Sequence, residues 1–412
     1  MHIMLLIFVV PPFEHVVFLV FHNILYYHSV LIVIGTLFAL FIVVILIVVF
    51  GSGSGKADHG VQSIRSRIEN ALPFLDSGKV KEVSFFMEND RGTYNLVELS
   101  IPADGGQVNG APKDGGGQGD AVLRNNDEQG KEKDPAGGEQ KEDKFPVVLM
   151  AHGFAGTLHS GGASELGARL AEKGVLAARI DFDPYVEPDR SAARTHIYPL
   201  SQMEDDAVKL LGILVDEYGG DRDDISLYGR SYGGRLMMRM ANESAGGFDY
   251  KKLALVAPAG DAVAFERYLG GKEKYDEMKK EAEAAEEKAG AHAENSSVDK
   301  AGEKADNAGA AADGSGYPEK LGICITPQWF KDVESYDPTE YGWKFGEKPV
   351  ILFYNTLDTV VYPDTSIRCA EAYENHEIVV VTTDDGHGYE MGYKKSELKD
   401  DIMDRLVEFL TE

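Results

Sequence analysis

A serine at position 231 is framed as Gly229-Arg230-Ser231-Tyr232-Gly233. It follows the apolar run Ile225-Ser226-Leu227-Tyr228 directly and precedes Gly234-Arg235-Leu236-Met237-Met238-Arg239-Met240-Ala241. A strand that turns at once into a helix pushes the corner residue out of the sheet. The residues two before and two after it must be small, because larger side chains collide in so tight a turn. The pattern alone is short enough to arise by chance, so its weight comes from the flanking strand and helix. A serine hydroxyl becomes a nucleophile only when a base takes its proton, and the base needs a carboxylate to orient it. Two later segments supply both. Lys348 to Asn355 reads as a buried strand and leads to Asp358 in a loop, while Glu377 to Thr383 reads as another strand and leads to Asp384-Asp385-Gly386-His387-Gly388-Tyr389. The chemistry on offer is acyl transfer through Ser231, with His387 as base and Asp358 as the acid that orients it.

That chemistry also needs backbone N–H groups aimed at a developing oxyanion. Phe145 to Ala151 reads as a strand that runs into His152-Gly153-Phe154-Ala155-Gly156-Thr157. A glycine-bearing loop in that place brings the amide of Phe154 forward, and the amide of Tyr232, next to the serine, is the second donor. His152 is read as a structural histidine of this loop rather than a base, because His387 fits the base position better. Asp384 and Asp385 compete with Asp358 as orienting acids, and Asp364 competes more weakly. Arg230 is read as a packed or ion-paired side chain rather than a substrate contact, and Met237, Met238 and Met240 as ordinary helix residues.

From about Val83 to Leu410, less two insertions, the chain resembles the α/β-hydrolase superfamily. Within it the chain is most similar to the serine aminopeptidase-like and cinnamoyl (feruloyl) esterase-like branch. The residues that carry the resemblance are His152-Gly153-Phe154, Gly229 to Gly234, Leu253 to Ala259, Asp358-Thr359-Val360-Val361 and Gly386-His387-Gly388. The resemblance implies an acyl-enzyme on Ser231, His387 as general base, Asp358 as orienting acid, and the amides of Phe154 and Tyr232 as the oxyanion hole. It implies no cofactor. Arg230 departs from the His more usual in such esterases, and with Tyr232-Gly233-Gly234 it is similar to prolyl-oligopeptidase-like enzymes, which leaves small peptides open as substrates. Those relatives carry a second Gly after His-Gly. Phe154 stands there instead and favours the ester side. The expected function is a serine hydrolase acting on carboxylic esters. An aminopeptidase-like or acyl-peptidase-like amide hydrolase is the enzymatic alternative, and a non-catalytic binding protein of the same fold is the other class. The intact Ser231, His387 and Asp358 set speaks against the last.

Composition narrows the field. The chain has 412 residues, 43% of them hydrophobic, and a formal net charge of −27. That is ample for one large domain with appendages. So acidic a chain lacks the basic surface that phosphate contacts require, so nucleic acid is not an expected partner. There are two cysteines, Cys324 and Cys369, with no CxxC and no His/Cys cluster to suggest a metal. Gly51-Ser52-Gly53-Ser54-Gly55-Lys56 superficially suggests a phosphate-binding loop, but Phe50 occupies the first Gly position and Ala57 the Ser/Thr position. It reads as a linker.

The elements that must position these groups follow. Ser29 to Phe50 carries no charge and is long enough to cross a hydrocarbon core of about 30 Å as a helix. Met1 to Tyr27 is also largely apolar but is broken by Pro11-Pro12, Glu14, His22 and Asn23; it is read as a second span, a re-entrant piece or a mis-assigned start. Every Lys and Arg follows the span, which leans towards a cytosolic catalytic domain. Residues 1–56 are thus expected to be a membrane segment and linker, and residues 57–412 the catalytic domain. Val61 to Leu75 is a candidate amphipathic helix. Val80 to Met87 and Thr93 to Ile101 form a hairpin signal. Residues 104–144 lack apolar periodicity and read as a disordered insertion. Residues 261–345 hold a cap with a low-complexity stretch, where relatives cover the site. Its aromatic residues Phe265, Tyr268, Trp329, Phe330, Tyr336, Tyr341 and Trp343 either line a pocket or hold the cap in place. Alternating strands and helices argue for a mainly parallel sheet with helices on both faces.

Overall fold

The computed structural model describes residues 78–103, 122–123, 144–182, 198–296, 318–320 and 323–412. The expected span at Ser29 to Phe50 and the helix candidate at Val61 to Leu75 lie outside these residues. No helix among the described residues is long and apolar enough to cross a membrane.

The described chain begins with a hairpin, β1 (Val80–Glu88) and β2 (Tyr94–Pro102), paired from Val80 opposite Pro102 to Glu88 opposite Tyr94. Its turn is fixed by Asn89, whose side-chain oxygen accepts from the amides of Arg91 and Thr93 at 3.1 Å each, as a short amide side chain does in place of a backbone turn. Within the insertion at 104–144, Val122–Leu123 forms a short strand, β3, lying parallel to β1. That is one departure from the expectation of an insertion without structure. Its source is an apolar pair beside an open sheet edge.

The rest alternates. β4 (Phe145–Ala151), α1 (Ala163–Ala171), β5 (Leu176–Ile180), α2 (Leu200–Glu217), β6 (Gly220–Arg230), α3 (Tyr232–Glu243) and β7 (Tyr250–Val256) come first. The cap follows as α4 (Ala262–Leu269), α5 (Lys272–Ser296), the short strands β8 (Glu319–Lys320) and β9 (Ile323–Cys324), and α6 (Pro327–Ser335). β10 (Val350–Asn355), α7 (Pro363–Glu371), β11 (His376–Val381) and α8 (Glu397–Thr411) close the chain. The main sheet runs β11-β10-β7-β6-β4-β5-β2-β1-β3. Every pair from β5 to β11 is parallel, and β2 is antiparallel to both of its neighbours. Strands covered on both faces need apolar side chains on both, and Leu253 to Val256 and Ile351 to Phe353 are each fully buried. The outer strand β11 instead starts with the exposed His376 and Glu377, which discourages pairing with another sheet. α1 packs with α8 and α2 with α3. The first contact is laced by Arg169, which binds Glu165, Asp400 and Asp404.

The cap is held by its own apolar stripe. Over residues 272–288 of α5 the buried residues are Tyr275, Met278, Ala282 and Ala285, spaced three and four apart as one helix face requires. Tyr275 meets Phe330 of α6 with ring centres 5.0 Å apart. Arg235 of α3 is fully buried beneath the cap and donates to the carbonyls of Gly260, Val333 and Tyr336. Its guanidinium also lies 5.4 Å from the Phe265 ring. A buried charge is tolerated only when its donors are used, so these bonds fix the cap to the helix that follows Ser231.

Candidate active site

Ser231, Asp358, His387 and the Phe154 loop all come just after the carboxyl ends of parallel strands, namely β6, β10, β11 and β4. In an open parallel sheet, that edge is where ligands bind.

Ser231 has φ 54° and ψ −119°, a conformation unusual for a residue with a side chain. Its surroundings enforce it. Its amide donates to Val256 O at 2.9 Å and its carbonyl accepts from Ala259 N at 3.0 Å. A Cβ added at Gly229 would stand 2.5 Å from the carbonyl oxygen of Gly233, and one at Gly233 would strike the carbonyl oxygens of Ala151 and His152. The small residues expected at this corner are therefore sterically required. Helix α3 begins at Tyr232, two residues earlier than the sequence suggested, so Ser231 is its N-cap. The positive end of the helix dipole then lies at the serine, and the amide of Tyr232, in the first turn, has no carbonyl one turn earlier to bond.

His387 sits in a single turn, Gly386–Gly388, after β11. Its Nδ1 is 2.7 Å from Oδ2 of Asp358, which is 2% exposed. The other carboxylate oxygen of Asp358 accepts from the amides of Val360 at 2.8 Å and Val361 at 3.0 Å. Two backbone donors thus lock the carboxylate and leave Oδ2 for the imidazole. Ser231 and His387 line one cavity, although no hydrogen bond joins their side chains. Catalytic hydrogen bonds of this kind commonly close only around substrate. Asp384 is exposed, Asp385 accepts from the Glu390 amide at 2.7 Å, and Asp364 pairs with Arg267 and Arg368. None of the three meets His387.

The loop after β4 lies hard against the serine. A Cβ at Gly153 would stand 3.0 Å from Ser231 Cβ and 3.5 Å from Ser231 Oγ, so the absence of a side chain there lets the loop approach the serine this closely. His152 is 8% exposed and its Nε2 accepts from the Phe182 amide at 3.2 Å. The remaining ring proton therefore resides on Nδ1 and is donated to Gly153 O at 2.8 Å. His152 shapes this loop, as the sequence suggested.

Three residues that hold the site together escaped the sequence reading or were given another task. Asn355, at the end of β10, is fully buried and donates to the carbonyls of Thr383 and Gly386 at 2.8 Å each, while its side-chain oxygen accepts from the amides of Leu357 and Thr383. It binds the Asp358 loop to the His387 loop. Tyr389 accepts from the Asn355 amide at 2.8 Å and directs its hydroxyl towards Asp358 Oδ2 at 3.5 Å. Burial pushes that phenol's pKa up, so it remains a donor. Arg230, read as packed or ion-paired, donates to the carbonyl of His387 and, at 3.4 Å, to that of Gly388. Buried polar side chains that bind loop carbonyls leave no pattern in a single sequence.

The cavity has a volume of about 430 Å³. Phe154, Tyr232, Phe265, Tyr268, Val360 and Val361 give it an apolar wall beside Ser231 and His387, and Lys320 adds a cation. The cap aromatics therefore divide. Phe265 and Tyr268 face the cavity, whereas Trp329, fully buried, supports it from behind with Phe265 5.2 Å and Phe154 6.3 Å away. Tyr336 and Tyr341 stack on each other at 5.0 Å, and Trp343 is exposed. Cys324 and Cys369 are both buried free thiols. Among the described residues no group of His, Cys, Asp and Glu is arranged to hold a metal ion.

Residues 142–297 match the family model described as serine aminopeptidase, S33, a segment running from β4 through Ser231 to the cap. No curated protein sequence matches the chain. Among solved structures, a hypothetical protein, PA2218 from Pseudomonas aeruginosa, is 14% identical with TM-score 0.51, over 81% of this chain and 93% of that one. The alpha/beta hydrolase GrgF from Penicillium sp. sh18 is 14% identical with TM-score 0.50, over 80% and 98%. Est1E from Butyrivibrio proteoclasticus is 15% identical with TM-score 0.47, over 80% and 99%. The mainly parallel sheet and the strand-to-helix corner at Ser231 give this chain the α/β-hydrolase fold, and residues 142–297 are similar to the serine aminopeptidases.

Proposed function

We propose that the protein hydrolyses carboxylic esters through an acyl-enzyme on Ser231. The observation that carries this reading is the 2.7 Å contact from His387 Nδ1 to a buried, doubly anchored Asp358, beside a strained serine on the same apolar cavity. With Nδ1–H donated to Asp358, the lone pair of Nε2 is free to take the Ser231 proton. Oγ attacks the ester carbonyl, and the negative charge that develops on its oxygen is met by the amides of Phe154 and Tyr232 and by the α3 terminus. The imidazolium, stabilised by Asp358, protonates the leaving alcohol. Water then repeats the sequence on the acyl-enzyme and frees the acid. No cofactor enters these steps.

The family match also admits amide hydrolysis by an aminopeptidase. Such an enzyme must hold a substrate ammonium, and none of the described residues lining the cavity is acidic. Lys320 would repel that ammonium, which favours esters. We further propose that the uncharged run Ser29 to Phe50 anchors the enzyme in a membrane as a single helix.

Replacing Ser231 or His387 with Ala is expected to lower turnover of p-nitrophenyl butyrate by about 10⁴–10⁶-fold with thermal melting preserved, as in other triads. Asp358→Asn is expected to cost about 10⁴-fold by favouring the wrong imidazole tautomer. A fluorophosphonate probe should label the protein once, at Ser231. Labelling at another serine, or undiminished turnover by Ser231→Ala, overturns the assignment.

A further inference from the structure

We infer that the cavity selects substrates whose apolar body carries a carboxylate or equivalent anion away from the scissile ester, and that Lys320 reads that anion. The inference rests on the ester-hydrolase reading of the same cavity. Lys320, on β8, is half-buried and lines the cavity whose other walls are apolar apart from Ser231 and His387. Among the described residues its ammonium has no carboxylate partner. Its contact is with the face of Tyr268, 4.8 Å from the ring centre, and Tyr268 itself lines the cavity.

An ammonium over one phenol ring is only partly compensated, because a cation–π contact replaces a small part of the lost hydration. An anion entering the cavity restores the rest through a charge-assisted hydrogen bond, in surroundings where water competes poorly. A neutral chain of the same length offers the ammonium no such partner. The same charge disfavours a cationic substrate. The arrangement thus distinguishes hemiesters of dicarboxylic acids, and esters with an acidic group on an aryl or alkyl body, from plain fatty acyl esters. Tyr268 holds the ammonium over its ring face, and Phe154 stands across from that ring at 5.5 Å between ring centres.

The test compares p-nitrophenyl monoesters of adipic and suberic acids with p-nitrophenyl hexanoate and octanoate. It is run on the wild type, Lys320→Arg, Lys320→Met and Lys320→Glu, each as the full chain. The quantity read is the ratio of kcat/KM for the charged over the neutral ester of each pair. That ratio is expected to fall about 10- to 100-fold in Lys320→Met, the range of a hydrogen bond to a charged group. It should fall further in Lys320→Glu, stay within about threefold in Lys320→Arg, and decline with added salt in the wild type. A ratio that is the same within about twofold in all four proteins overturns the inference. A second arm needs no turnover: Ser231→Ala protein, with and without Lys320→Met, is titrated calorimetrically with monomethyl suberate. Binding at least about tenfold tighter when Lys320 is present upholds the inference even if no ester is hydrolysed, in which case the ester reading alone fails. Binding indifferent to Lys320 counts against it.

Discussion

At the residue scale, the candidate site depends on groups that never meet a substrate. Arg230 donates to the carbonyl of His387, so it sets where the imidazole stands rather than which substrate the cavity admits. Arg230→Met is therefore expected to lower kcat by about 10–100-fold with KM changed less than about threefold, since geometry for the chemical step is lost and the cavity wall is not. Arg230→Lys should recover part of the loss, because an ammonium can still donate to one carbonyl. Steady-state kinetics on p-nitrophenyl butyrate separates the cases: an equal rise in KM, or no rescue by Lys, rules out the positioning role. The places of Ser231, Asp358 and His387 were legible because each follows a recognisable strand and because their chemistry demands particular residue types. Asn355 and Tyr389 were not. Asn355 acts on carbonyls 28 and 31 residues away, and Tyr389 on the Asn355 amide and the Asp358 carboxylate 34 and 31 residues away, and nothing in an amide or a phenol advertises such partners.

At the scale of elements, alternation of apolar strands and amphipathic helices foretold the parallel sheet, and small residues foretold the corner at Ser231. The start of α3 was misjudged because Tyr232 and Gly233 do not favour helix; tertiary packing of Gly233 against Ala151 and His152 imposes it. The construction of the segment expected to form a cap was not legible. Lys272 to Gly316 reads as a low-complexity insertion rich in Ala, Glu and Lys, yet Tyr275, Met278 and Ala282 of its helix are buried on α6 and its surroundings. Tyr275→Ala is expected to destabilise the domain by about 2–4 kcal/mol through lost burial and the cavity left behind. Deleting Glu286 to Ala312, which contains no large apolar residue except Val298, should move the melting temperature by less than about 3 °C. Thermal melts of the two variants decide the matter, and equal losses would show that the second half of the insertion also packs.

At the scale of the whole molecule, every proposed catalytic group lies beyond Val147, while the uncharged run ends at Phe50. Gly51 to Gly60 is small and polar, the composition of a linker. A protein beginning at Lys56 is therefore expected to stay in solution and cleave p-nitrophenyl butyrate, with kcat/KM within about threefold of the full chain. The full chain should sediment with membranes and resist carbonate. A folded truncation without activity would recast the amino terminus as part of the substrate site.

The middle of the sheet has one more consequence. β6 and β7, with Ser231, precede the 25-residue helix α5, while β10 and β11, with Asp358 and His387, follow it. The proposed nucleophile and its proposed base thus belong to opposite halves of the polypeptide, joined side by side where β7 pairs with β10 from Leu253 opposite Val350 to Val256 opposite Phe353. Such a protein is separable in the manner of a split reporter. Two co-expressed pieces, one ending at Ala285 and the other starting at Pro318, carry complementary faces of the cap at Tyr275 and Phe330. Neither piece alone holds both a nucleophile and a base, so fluorophosphonate labelling of the first should depend on the presence of the second. Reassembly would then be reported by the chemistry itself.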